Sequence, residues 1–148
     1  MNSFVNANEV NEEDIEIDYK IEEEVETFLK YVINEYKESV LEAFLTIFQK
    51  YSLDFLMTFG IYHIRNEQFN NYLIKLKSKY FDCIHCLTKN NYKNGKILLD
   101  DLINNFSVLY TFDLSKSKSS IKDIKYGLSK LNYTMIYLRA YLENRVTI

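Results

Sequence analysis

An all-α fold is what this sequence predicts, and three observations carry that expectation. Proline is absent and glycine occurs only at 60, 95 and 127, so little interrupts a helix or supplies a tight hairpin turn. Apolar residues recur at three- and four-residue spacing over long stretches, the mark of helix faces turned into a core, and no strand-like pattern competes with them. The 148 residues, 47% of them apolar, suit one domain that buries its own core without metals or disulfides. Thirteen tyrosines and ten phenylalanines make that core bulky, and each tyrosine hydroxyl buried there needs a partner or water.

The elements follow in order. Residues 1–14 read as an acidic flexible arm and 15–148 as the single folded domain. Ten acids against Lys20 alone give residues 1–26 a balance of −9 within a chain of net charge −3, which leaves +6 for the rest. Acids here suit the first turns of a helix, where the macrodipole favours negative charge. A first helix is expected from about Ile15 to Val40, with Ile17, Ile21, Val25, Phe28, Leu29, Val32, Ile33 and Tyr36 on one face, continuing with a bend into the next. Val40 to Phe59 places Val40, Leu41, Phe44, Leu45, Ile47, Phe48, Tyr51, Phe55, Leu56 and Phe59 toward a core. Ser52 and Asp54 offer N-cap chemistry for a helix holding Phe55 to Ile64, and Asn66-Glu67 is the expected corner.

Phe69, Tyr72, Leu73, Leu76, Tyr80, Ile84 and Leu87 then form a long amphipathic helix that stops at Lys89-Asn90-Asn91. Lys93-Asn94-Gly95 precedes a helix with Leu98, Leu99, Leu102, Ile103, Phe106 and Leu109 inward. Thr111 to Ser119 is polar and aperiodic, whereas Ser120-Ile-Lys-Asp123 resembles a capping box with Asp in place of Glu. In the last helix Ile121, Ile124, Leu128, Leu131, Met135, Leu138 and Leu142 alternate three and four apart. A second stripe, Tyr126, Tyr133, Tyr137 and Tyr141, covers another face. Two apolar faces on one helix point to a homodimer packed along the C-terminal helices; a core stripe beside a surface of tyrosines is the alternative.

Several function classes are excluded as expectations. The lysines are dispersed among acids and the pI is near 5.5, which argues against a nucleic-acid surface. No run is apolar enough for a membrane span, and the N-terminus lacks the basic-then-apolar order of a secretory signal, so a cytoplasmic protein is expected. No phosphate loop, nucleophile elbow, His-Glu-x-x-His or paired carboxylates on an apolar face are present, so no enzyme and no cofactor are expected. Cys83-Ile-His-Cys86 puts two thiols on one helix side, but it lacks both the strand-to-helix setting of a redox centre and a full zinc ligand set. Packed, reduced thiols are the expectation.

One short stretch reads as a site. In Phe59-Gly60-Ile61-Tyr62-His63-Ile64-Arg65 a histidine and an arginine interrupt an apolar helical segment, and a helix ending near Arg65 lets the guanidinium fold back beneath an anion. Gly60-x-x-His63-x-Arg65, followed by a corner and a long helix, is similar to the F-helix region of bacterial sensor globins, where the histidine would be the proximal haem ligand. The broader pattern Phe55-Leu56-x-x-Phe59-Gly60-x-x-His63-x-Arg65, with Phe69 and the Tyr72 to Leu87 helix, resembles the non-haem globin sensor domains of Bacillus-type regulators. These include the sensor domains of sporulation histidine kinases and the small sporulation-inhibitory proteins that look like them.

The resemblance, spanning roughly Ile21 to Leu142, implies a dimeric globin-like fold that binds a fatty acid in place of haem, with a chloride or other halide ion nearby. An acyl chain would lie among Phe48, Phe55, Phe59, Tyr62 and Leu76, each buried methylene contributing about 0.8 kcal/mol. Its carboxylate would meet His63 or Arg65. With no catalytic domain before Ile148, inhibition would work by diverting signal from a sporulation sensor histidine kinase. The alternatives are a haem-binding gas sensor and a helical protein-interaction module in which His63 is merely packed.

Overall fold

A computed structural model describes residues 12–60 and 63–148. Five α-helices make up the described residues: α1 (Glu12–Tyr36), α2 (Val40–Phe59), α3 (Glu67–Thr88), α4 (Tyr92–Phe106) and α5 (Ile121–Leu142). A 3-10 turn (Ser107–Thr111) follows α4. The all-α expectation holds. Residues 1–11, most of the expected acidic arm, lie outside the described residues, and α1 begins three residues before the expected Ile15.

Two helix boundaries differ from the expectation, each for a local reason. The first helix does not bend into the second. Lys37 adopts a left-handed φ of 56°, and the Ser39 side chain accepts a hydrogen bond from the Glu42 backbone N–H to start α2 afresh. The second helix is not re-capped at Ser52 or Asp54; it runs unbroken to Phe59. Phe44, Ile47, Phe48, Tyr51, Phe55 and Phe59 are all buried along it, and a break at Ser52 would take the last two rings out of register with the first four. Gly95 sits inside α4 instead of before it, because Asn91 caps the helix by accepting from the Asn94 N–H.

The remaining signals act where the spacing placed them. Asn66 caps α3 by accepting from the Phe69 N–H at 3.0 Å, and Ser120 caps α5 by accepting from the Asp123 N–H at 3.1 Å. Asn90, with φ of 63°, turns the chain between α3 and α4, and the Cys83 thiol donates to the Gly95 carbonyl across that hairpin.

Helix α5 packs against α1, α2 and α4. Its alternating stripe is core: Ile124, Leu128, Leu131, Met135 and Leu138 are buried, whereas Ile121 at the front end is exposed. The tyrosine stripe is covered as well. The Tyr137 and Tyr141 rings meet Phe44 of α2 at 5.9 and 6.0 Å, and the Tyr133 hydroxyl donates to the Glu26 carboxylate of α1 at 3.1 Å. Tyr137 is buried and Tyr126, Tyr133 and Tyr141 are half-buried, so much of the second face is packed within one chain.

Between α2 and α3 the interior is filled ring on ring. Phe48 stacks on Tyr80 with centroids 3.8 Å apart, and the fully buried Tyr80 donates its hydroxyl to the Phe44 carbonyl at 3.2 Å. Burial pushes the Tyr80 pKa far above the ordinary range, so that group is a neutral donor. Two large aromatic side chains withdrawn from water contribute about 1.5–3 kcal/mol each.

Helix α1 is held by Ile21, Val25, Leu29 and Val32, all buried, while its acids line up along one side. Asp18, Glu22 and Glu26 recur every four residues, and partial burial, then Glu26, then Asp18 raise the Glu22 pKa above the ordinary 4.5. A carboxyl whose pKa is raised on folding adds stability that is complete below its unfolded pKa and disappears as pH rises through the folded value. Glu22→Gln is therefore expected to stabilise the protein at pH 7 by about 0.2–0.5 kcal/mol, the size of one like-charge helix pair, and to make no difference below pH ~4. Urea denaturation at the two pH values checks this.

Candidate functional site

The C-terminal half of α2 and the N-terminal half of α5 run antiparallel and flank a groove of about 520 Å³. That volume falls in the range of small-molecule sites. Along α5 the groove reaches from Ser120 to Lys130, a rise of about 15 Å at 1.5 Å per residue. Its floor is Phe55 and Phe59, whose rings lie 5.0 Å apart.

Gly127 sets the depth. A Cβ built there would stand 2.8 Å from Phe55 Cδ2 and 3.2 Å from Phe59 Cε2, so only glycine lets α5 settle onto these rings. Phe55 is itself packed against Phe69, which leaves it little room to give way.

The polar groups divide between the two ends. At one end are Lys118, Ser119 and Ser120, just ahead of and capping α5. At the other end Lys130 Nζ lies 4.9 Å from the Tyr126 ring centroid, 5.6 Å from that of Tyr51 and 3.2 Å from a Glu24 carboxylate oxygen on α1. The Tyr51 hydroxyl is buried beside the Glu24 carboxylate. Its pKa is raised, first by burial and then by the Glu24 carboxylate, so it remains a neutral donor. Asp54, on the groove rim, is paired with Lys50 at 3.0 Å.

The corner that carries the sequence motif closes the other end of α2. Gly60 leaves no space for a side chain, since a Cβ there would meet the Leu56 carbonyl oxygen at 2.6 Å. Its own carbonyl accepts from the His63 and Ile64 N–H groups at 2.7 and 3.1 Å. The His63 carbonyl in turn accepts from the Lys118 N–H at 2.9 Å, and Asn66 Nδ2 donates to the Asp113 carbonyl at 3.0 Å, tying the corner to the loop before α5.

Of the candidate residues read from sequence, the structure brings Phe55 and Phe59 into this groove. Phe48 and Leu76 are buried in the packed core, Phe48 under Tyr80. His63 and Arg65 are exposed on the corner, so the cation expected beside an apolar interior faces solvent instead, because α2 ends at Phe59 before reaching them. Tyr62 lies outside the described residues. Sequence reasoning passed over Tyr51, Tyr126, Lys118 and Lys130 as site residues. Gly127, alone in the middle of a strong helix pattern with Tyr126 and Lys130 beside it, was the available signal of a close approach.

Among the described residues no group of three or more His, Cys, Asp or Glu side chains is placed to hold a metal ion. No helix there is long and apolar enough to cross a membrane. Cys83 is buried with its pKa pushed up to about 12, chiefly by burial, whereas Cys86 is half-buried and His85 exposed. In comparisons with known proteins, no protein family, curated protein or solved structure matched the chain.

Two outcomes are expected. Iodoacetamide at neutral pH labels Cys86 in the folded protein and spares Cys83 until denaturant is added, as peptide mass mapping reads directly. Gly127→Ala lowers stability by about 1–3 kcal/mol through overpacking against Phe55, measured as a fall in the midpoint of chemical denaturation.

Proposed function

We propose that this chain is a ligand-responsive helical domain without enzymatic chemistry, and that its ligand is an amphipathic carboxylate, a fatty acid, lying in the groove between α2 and α5. The observation that carries this reading is the pairing of a buried aromatic floor, Phe55 and Phe59, with cationic side chains at both ends of the same groove, Lys118 and Lys130. An apolar chain and an anionic head need that combination. Binding is favoured over catalysis because three of the groove's polar groups are engaged as structure: Ser120 caps α5, Asp54 pairs with Lys50, and Lys130 pairs with Glu24.

The site in this proposal differs from the one expected from sequence. Phe55 and Phe59 keep their role in holding the chain, and the lysines take over the head group from His63 and Arg65. The resemblance to non-haem globin sensor domains supplies the wider reading. In it the cytoplasmic domain, with a globin-like topology, a halide ion near the ligand and a homodimeric state, inhibits sporulation by diverting signal from a sensor histidine kinase.

A second reading, a helical protein-interaction module, draws on a different feature. Leu53, Leu56 and Met57 form an exposed apolar patch on the outer side of α2, with Met57 75% exposed. Native mass spectrometry of freshly purified protein, followed by solvent extraction, separates the two. A co-purifying acyl chain that is lost in Thr58→Trp, a substitution at an exposed position on the groove wall, supports the sensor reading. Protein free of adducts that takes up no added fatty acid overturns it in favour of the interaction module.

A further inference from the structure

The groove's better-built cation is Lys130, and it is already occupied. Its ammonium is held between the Tyr126 and Tyr51 rings and bound to Glu24 at 3.2 Å, with the side chain only 24% exposed. Lys118, by contrast, is exposed and forms no ion pair among the described residues. A charge fixed in a partly desolvated setting attracts an anion more strongly than one waving in water. Beside Lys130, Tyr51 is 6% exposed, and its buried hydroxyl feels the same Glu24 carboxylate, whose charge and hydrogen bonding raise its pKa, so a ligand that displaces Glu24 meets both the ammonium and this neutral donor.

We infer that Glu24 is an internal competitor for the ligand's head group. The carboxylate of an amphipathic acid binds the groove by taking Lys130 from Glu24, with Tyr51 donating a second hydrogen bond. This rests on the reading of the groove as an acyl-carboxylate site and adds what sets its affinity. Lysine has three donors, yet two carboxylates crowded on one ammonium repel each other, so exchange is favoured over sharing. Glu24 from α1 contacts Lys130, and the other charged groups lining the groove are Asp54 of α2, which Lys50 engages, and Lys118 and Asp123 at its far end.

The exchange also gives the site a connection to α1. Glu24 sits among Asp18, Glu22, Glu23 and Glu26, and Lys130 of α5 pairs with this acidic run. A bound carboxylate leaves Glu24 without that partner. The buried Ile21 and Val25 keep α1 in place, so occupancy alters the charge presented along α1 and does not detach the helix.

The test compares dodecanoate with dodecanol, the same chain without the charge, on the wild type, Glu24→Gln and Lys130→Met by isothermal titration calorimetry. Glu24→Gln is expected to tighten dodecanoate by about two- to fivefold, the range an exposed ion pair spans, and to leave dodecanol unchanged. Lys130→Met is expected to bring dodecanoate down to the dodecanol value. Unchanged dodecanol affinity certifies that each variant keeps its fold. If dodecanoate binds Glu24→Gln no more tightly than the wild type, or if its advantage over dodecanol is lost in Lys118→Met and kept in Lys130→Met, the competitor role is overturned while the groove reading stands. If neither probe binds the wild type, the groove reading fails and this inference falls with it.

Discussion

The seating of α5 on two phenylalanine rings of α2, at the one position of α5 without a Cβ, is the constraint from which the rest of the architecture follows. With Gly127 against Phe55 and Phe59, α5 lies deep enough for its Ile124 to Leu138 stripe to be buried and for its tyrosines to reach Phe44 and Glu26. The same approach leaves a groove beside the rings, lined along α5 by Asp123, Tyr126 and Lys130. The His63 to Lys118 backbone hydrogen bond then fixes how the α2–α3 corner meets the start of α5.

Apolar burial and charge divide the work on α1. Four buried aliphatic side chains, at about 1.5–3 kcal/mol each, outweigh its half-exposed contacts to Lys130 and Tyr133, worth about 1 kcal/mol or less apiece. Packing therefore decides where α1 lies. The charges decide something else: with acids repeating every fourth residue, the helix presents a negative surface that α5 neutralises in part at Lys130. Through Glu24, which reaches both Lys130 and Tyr51, the groove and α1 share a polar contact, and it makes the groove sensitive to anions.

The interior beside α3 illustrates how aromatic content can mislead. Many tyrosines and phenylalanines on facing helices suggest room for a ligand, since rings leave gaps that aliphatic chains do not. Here the rings stack. Phe48 and Tyr80 at 3.8 Å fill the space between α2 and α3, and the Tyr80 hydroxyl finds the Phe44 carbonyl, so the space holds protein where an acyl chain was expected. The groove lies further along α2, toward its C-terminal end, where Phe55 and Phe59 meet α5 at Gly127.

By itself the sequence determined the helical class and the position of most helices, because periodicity, the corner at Asn66, the cap at Ser120 and the absence of proline act over a few residues and need no partner. It also identified Phe55 and Phe59 as inward. It did not distinguish a capping Ser39 from a Ser52 that lies mid-helix, since both have the same local chemistry and only packing of the later rings chooses between them. Tertiary structure alone decided that His63 and Arg65 face solvent, that the tyrosine face of α5 is covered within the chain, and that Glu24, Tyr51 and Lys130 meet. Those three come from α1, α2 and α5, and which helices become neighbours is set by how large and small side chains interlock across the core, a property no spacing along one helix records.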